Sequence, residues 1–148
     1  MLYESDSIAI SLDAGVATLS LDFAGTPPNL WNAGRFEEFL RAFATVENHP
    51  AVSALVLRSA KAAGFCAGLD VEFLADLASS DDAREFARLG QHAAQRIADA
   101  PIITIALLHG PVHSPGLDLA LACDYRLAIA TPTTLLGFPE LEHGLLPA

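Results

Sequence analysis

The chain has 148 residues, 52% of them hydrophobic, with a mean hydropathy of +0.38 and a net charge of −10 from 18 acidic and 8 basic residues. These values exclude disorder and describe a globular chain long enough to bury a core. The acidic balance excludes nucleic acid, whose affinity comes from Lys and Arg on phosphates, and no apolar run approaches the roughly 20 residues of a membrane span.

The first residues, Met1 to Asp6, lack a basic signal-peptide start, so a soluble, cytoplasmic protein is expected. Ile8, Ile10 and Leu12 alternate with small polar or Ala positions, as do Ala17, Leu19, Leu21 and Phe23. The Asp13-Ala14-Gly15 turn between them predicts a β-hairpin. Gly25-Thr26-Pro27-Pro28 breaks the chain, Asn32 is a candidate N-cap, and Phe36, Phe39, Leu40 and Phe43 predict an amphipathic helix over about residues 33–48.

Val52 to Leu57 reads as a buried strand, followed by a loop of small residues from Lys61 to Asp70. A short helix over Val71 to Leu77 is expected next. A longer one starts at Ser79-Ser80-Asp81-Asp82 and runs to about Ala98, with Phe86, Ala87, Gly90, Ala94 and Ile97 on one face. After Pro101 comes a buried strand, Ile102 to Leu108. The turn His109 to Pro115, an apolar helix from Gly116 to Ala122, and strands over Asp124 to Ala130 and from Thr134 follow. This β-β-α rhythm, with no linker, predicts one α/β domain over residues 1–148.

Neither GxGxxG nor GxxxxGK[ST] occurs, and the five histidines show no metal-ligand spacing, so no metal site is expected. Cys66 and Cys123 form no CxxC pair and read as buried free thiols. Lys61 is the only lysine, with Arg58 close by, and leaves room for a phosphate-bearing small ligand.

Chemistry concentrates at residues 109–118. A strand, a tight turn and a helix start carrying Asp118 can offer backbone amides to an oxyanion and a carboxylate to a proton. Pro115 complicates this, because it has no N–H. The same turn is where a serine-hydrolase elbow would place Ser114, with His143 the sole downstream histidine. The first elbow glycine is absent, however, and the residue that should donate after the serine is Pro115. In purely structural terms, Ser114 is an N-cap, Pro115 the first helical residue and Asp118 a first-turn acid. Glu140, after an apolar strand and Pro139, is a second candidate acid–base group.

In this order the segments resemble the enoyl-CoA hydratase/isomerase (crotonase) superfamily over nearly the whole chain. Pro28-Asn29-Leu30-Trp31-Asn32-Ala33 is similar to its "NAL" approach to the first helix, and Phe65-Cys66-Ala67-Gly68-Leu69-Asp70 to its F-x-A-G-x-D loop. Gly110 to Asp118, with Leu119 to Ala128, resembles N-G-x-x-x-G-G-G-x-E-L-A-L-A-C-D-x-R-x-A. Gly137-Phe138-Pro139-Glu140 through Pro147 resembles G-x-P-E-x-x-x-G-x-x-P.

The resemblance implies a ββα spiral of the ClpP/crotonase type that binds an acyl-CoA as substrate, with no separate cofactor, and steadies its thioester enolate with two amides. Ala67 would supply the first. The second falls at Pro115, where the donor is lost, with Gly116 as the neighbouring amide. Asp118, one methylene short of the family's Glu, and Glu140 would be the catalytic carboxylates. Lys61, Phe65, Ala67, Gly68, Leu69 and Asp70 would hold the substrate. Hydratase or isomerase chemistry leads. A catalytically impaired acyl-CoA binder or assembly subunit, and a decarboxylase or thioester hydrolase on the same scaffold, are the alternatives. Family members continue past the position of Ala148 with helices that complete the acyl pocket and the interface of a homo-oligomer (trimer or hexamer). Exposed apolar surface is therefore expected where those helices would sit.

Overall fold

A computed structural model describes residues 1–25 and 28–146; Thr26, Pro27, Pro147 and Ala148, and the His143 side chain, lie outside the described residues. After β1 (Tyr3–Glu4), the predicted hairpin forms from β2 (Ile8–Asp13) and β3 (Val16–Leu21), paired antiparallel with Asp13 opposite Val16. Ala14 and Gly15 both take positive φ, 46° and 84°, the turn geometry that follows the twist of paired strands. After β4 (Leu30–Trp31), Asn32 caps α1 (Ala33–Glu47) by accepting the Arg35 N–H at 3.1 Å.

The chain continues through β5 (Ala54–Ser59), β6 (Gly68–Leu69), α2 (Val71–Ala75), α3 (Ser80–Ala98), β7 (Ile103–Leu108) and β8 (Pro111–His113). It then passes through α4 (Gly116–Ala122), β9 (Tyr125–Ala128), β10 (Leu135–Gly137) and a 3-10 turn, Pro139–His143. Strands β1, β2, β3, β5, β7 and β9 form one sheet, antiparallel to β3 and parallel from there on. The short strands make a second parallel ladder: β4 on β6, Cys66 bridged to Val112, and β8 on β10. Each repeat thus gives a long strand to the sheet and a short strand to the ladder before its helix. This is the ββα spiral.

The core joins the sheet's inner face (Ile8, Ile10, Leu19, Leu21, Leu55, Leu57) to Trp31 and the α1 aromatics Phe36, Phe39 and Phe43. Trp31 stacks on Phe36 at 4.5 Å and meets Phe23 edge-on at 4.9 Å. Arg96 of α3 forks onto both Glu47 carboxylate oxygens, fastening α3 to the end of α1.

Several boundaries differ from the sequence expectation. The strand predicted at Val52 to Leu57 lies at Ala54–Ser59, because its parallel pairing with β3 runs to Leu21 opposite Ser59. Gly68–Leu69, expected as loop, pairs with Leu30–Trp31; two residues are too few to show alternation. On α3 the buried positions are Phe86, Gly90, Ala93 and Ile97, whereas Ala87 is exposed and Ala94 half-buried. Gly90 sits there because a β-carbon would stand 3.3 Å from the Phe36 ring.

Leu121, Tyr125, Leu127, Ile129, Leu135 and Leu136 are all exposed. Among the described residues, no helix is long and apolar enough to cross a membrane, and no cluster of His, Cys, Asp or Glu could hold a metal ion.

Candidate active site

The loop 61–70 and the turn 109–115 are laced together by backbone bonds. Phe65 N–H donates to the His109 carbonyl at 2.9 Å, Cys66 N–H to Pro111 at 3.0 Å, and His113 N–H to Cys66 at 2.9 Å. Gly64 and Gly110 make this approach possible. Both have positive φ, and a β-carbon on Gly110 would lie 2.8 Å from Gly64 Cα. His109 Nε2–H donates to the Lys61 carbonyl at 2.8 Å.

The turn delivers Ser114 and Pro115, joined by a cis peptide bond, to the start of α4. The N-cap expectation fails here. Pro115, not Ser114, holds the capping position, and no side chain caps the helix. The buried Ser114 hydroxyl instead donates to Asp118 Oδ2 at 2.5 Å. One turn of helix brings residues 114 and 118 together, so the hydroxyl meets the carboxylate before any amide.

Beside this pair lies a cavity of about 560 Å³. Its apolar wall comes from Phe36, Leu69, Leu74, Phe86 and Leu145, and its polar groups are Ser114, Gln91 and Glu140 next to Pro115. The two predicted carboxylates do not enter it alike. Glu140 lines the cavity itself, while Asp118 stands behind Ser114, outside the lining. Glu140 is only 9% exposed, and its Oε1 has no hydrogen-bond partner among the described residues. A buried carboxylate oxygen left without a donor is costly, and such groups cluster where a ligand is to be met.

The remaining predicted positions divide between wall and scaffold. Leu69 lines the cavity. Phe65 is fully buried in the core, and Asp70 caps α2, accepting from Phe73 N–H at 3.2 Å and from Asn32 Nδ2 at 3.3 Å. Gly68, at φ +125°, donates its N–H to Cys66 Sγ at 3.3 Å. Ala67 N–H donates to the Asn29 carbonyl at 3.0 Å. Lys61 pairs with Asp22 at 3.5 Å and lies outside the cavity lining. Gly116 packs against Cys66, its amide turned to that sulfur. Burial pushes the Cys66 thiol up to about 12, opposed by the Gly68 and Gly116 amides. It pushes Cys123 up to about 11, opposed by the Thr104 hydroxyl and Arg126.

Two residues carry more than the sequence shows. Ser114 is the polar link between cavity and Asp118. Asn29, fully buried, accepts the Phe23 N–H at 2.9 Å and donates to Ser59 Oγ at 2.9 Å and to the Phe65 carbonyl at 3.1 Å. Its place in the segment similar to the "NAL" motif marks it in the sequence, but not the bonds it makes.

The model of the enoyl-CoA hydratase/isomerase family matches residues 12–148. Among curated proteins, the chain is 38% identical over 136 residues to a fatty acid oxidation complex subunit alpha of Aliivibrio fischeri, covering 91% of this chain and 20% of that protein. It is 40% identical over 132 residues to the subunit so named in Vibrio cholerae, covering 88% and 19%. The chain therefore spans about a fifth of these relatives. An enoyl-CoA hydratase/carnithine racemase from Magnetospirillum magneticum superposes with TM-score 0.89 at 25% identity, over 99% of this chain and 54% of that one. An enoyl-CoA hydratase/isomerase from Xanthobacter autotrophicus Py2 gives 0.84 at 29% identity, over 96% and 52%.

Proposed function

Since the chain belongs to the enoyl-CoA hydratase/isomerase family, we propose that it binds an acyl-CoA thioester and moves protons at the acyl α- and β-carbons. Glu140 is the principal acid–base group and Asp118 assists. The observation that carries this reading is the Glu140 carboxylate, buried on the wall of an apolar cavity with one oxygen unpartnered. The apolar wall suits an acyl chain, and a polar interaction with the thioester is stronger beside such a wall than in water. Hydration needs a second carboxylate to handle water, whereas double-bond isomerisation runs with one. With Asp118 outside the cavity lining, hydration needs a group that carries its proton across, whereas isomerisation does not.

Crotonyl-CoA hydration and 3-enoyl-CoA isomerisation, assayed side by side, test this. Turnover in either, lost about 100-fold or more in Glu140→Gln with thioester binding kept, supports it. Binding without turnover in both assays overturns it.

A second reading, an acyl-CoA binder without chemistry, draws on the amides. Ala67 N–H is engaged by Asn29, Gly116 faces Cys66 and Pro115 has none. The curated relatives' printed name adds a subunit role in a larger assembly.

A further inference from the structure

We propose that Ser114 is a catalytic residue, the relay through which Asp118 reaches the substrate cavity; this rests on the acyl-CoA reading above. Ser114 lines the cavity with Glu140, and its hydroxyl hydrogen goes to Asp118 Oδ2 at 2.5 Å. A hydroxyl that donates its one hydrogen inward keeps two lone pairs to accept from a ligand. Asp118 itself is outside the lining. A carboxylate one methylene short, preceded four residues earlier by a hydroxyl, recovers its reach through the hydroxyl oxygen.

For hydration, the bonds balance as follows. A water O–H breaks and its proton passes to Ser114 Oγ, while the Ser114 proton passes to Asp118 Oδ2. The water oxygen bonds the β-carbon, and the displaced π electrons move onto the thioester carbonyl as an enolate. Glu140 then delivers a proton to the α-carbon. Ser114 ends as it began, a neutral hydroxyl, and the proton on Asp118 returns to Glu140 through solvent. The serine forms no bond to carbon.

The pair is accordingly one unit, which kinetics can read with the full chain and crotonyl-CoA. Ser114→Ala should lower kcat about 100-fold with crotonyl-CoA affinity changed less than about threefold. Ser114→Thr, which keeps the hydroxyl, should recover at least a tenth of the wild-type rate. Asp118→Asn should cost about as much in the wild type and little more in the Ser114→Ala background, because residues acting as a unit are non-additive. The wild-type rate should show a solvent deuterium effect with two protons in flight, reduced to one in Ser114→Ala.

A kcat within about threefold of wild type in a folded Ser114→Ala chain overturns the relay and leaves the acyl-CoA reading standing. So does an Asp118→Asn loss that is the same in both backgrounds. A Ser114-bound acyl group found by mass spectrometry overturns it in favour of nucleophilic hydrolysis. A wild type that isomerises 3-enoyl-CoA but does not hydrate crotonyl-CoA overturns the relay and leaves the acyl-CoA reading standing, and one inert in both assays overturns the two together. Should Ser114→Ala fail to fold, Ser114→Thr and the Asp118→Asn pH profile carry the same decision: failure of the threonine variant to turn over, with its fold intact, overturns the relay.

Discussion

Gly116 and Cys66 are packed so closely that a β-carbon added at 116 would stand 2.3 Å from Cys66 Cβ and 2.8 Å from its sulfur. The first residue of α4 is thus spaced against the ladder of short strands by the absence of a side chain. Gly116→Ala should destabilise the fold by about 1–3 kcal/mol, as overpacking of a close-packed interior does. A urea midpoint unchanged from wild type would refute this contact as a constraint.

Both thiols are raised by burial, Cys66 to about 12 and Cys123 to about 11, against an ordinary 9.0. A raised thiol binds its proton more tightly in the folded state. Its contribution is fully present below pH 9 and falls away as pH rises towards 11–12. Unfolding free energy should therefore decline above pH 9 by about 1.4 kcal/mol per pH unit for each thiol. Chemical denaturation from pH 8 to 10.5 checks the slope, and Cys66→Ala should about halve it, leaving the share of Cys123. At pH 8 neither thiol should alkylate before the chain unfolds.

Pro115 occupies the cavity wall without an N–H to offer. Pro115→Gly restores a backbone donor beside Ser114 and should raise kcat on the preferred thioester at least tenfold, against the roughly 100-fold that one oxyanion donor is worth. An unchanged kcat would show that the missing amide does not limit turnover.

Asn29 ties Phe23, just past β3, to the end of β5 and the loop at Phe65 through one buried amide. Asn29→Ala strips partners from several buried groups and should cost about 2–4 kcal/mol. Thermal melts should show it, and Asn29→Asp should not restore the wild type, because an acid cannot donate both bonds. A melting temperature within a degree of wild type would sink the claim.

Much of this architecture was legible in the chain. The hairpin follows from period-2 alternation around Asp13-Ala14-Gly15, and α1 from Asn32 and the spacing of its phenylalanines. Both are local signals. The order of motifs likewise pointed to Asp118 and Glu140; Glu140 lines the cavity, whereas Asp118 lies outside the lining and meets it only through its bond to Ser114. What was hidden depends on distant partners. Local preference makes Ser114 a helix cap, yet its hydroxyl is claimed by a side chain one turn on. Asn29 bonds residues up to 36 positions away, which no window of sequence reveals. Leu30–Trp31 and Gly68–Leu69 become strands only because each finds the other.

The lacing of residues 64–66 to residues 109–113 has a consequence for which walls of the cavity can move. Six backbone groups and two glycine contacts join these segments, so the floor bearing Ser114 cannot swing independently of the loop bearing Leu69. Helix α2 is held quite differently: it has five residues, none buried, yet Leu74 forms part of the cavity wall. Hydrogen exchange should be fastest along α2 and slowest at Cys66 and His113. The cavity thus joins a wall held without a buried residue, at α2, to Ser114, which follows directly on the laced turn.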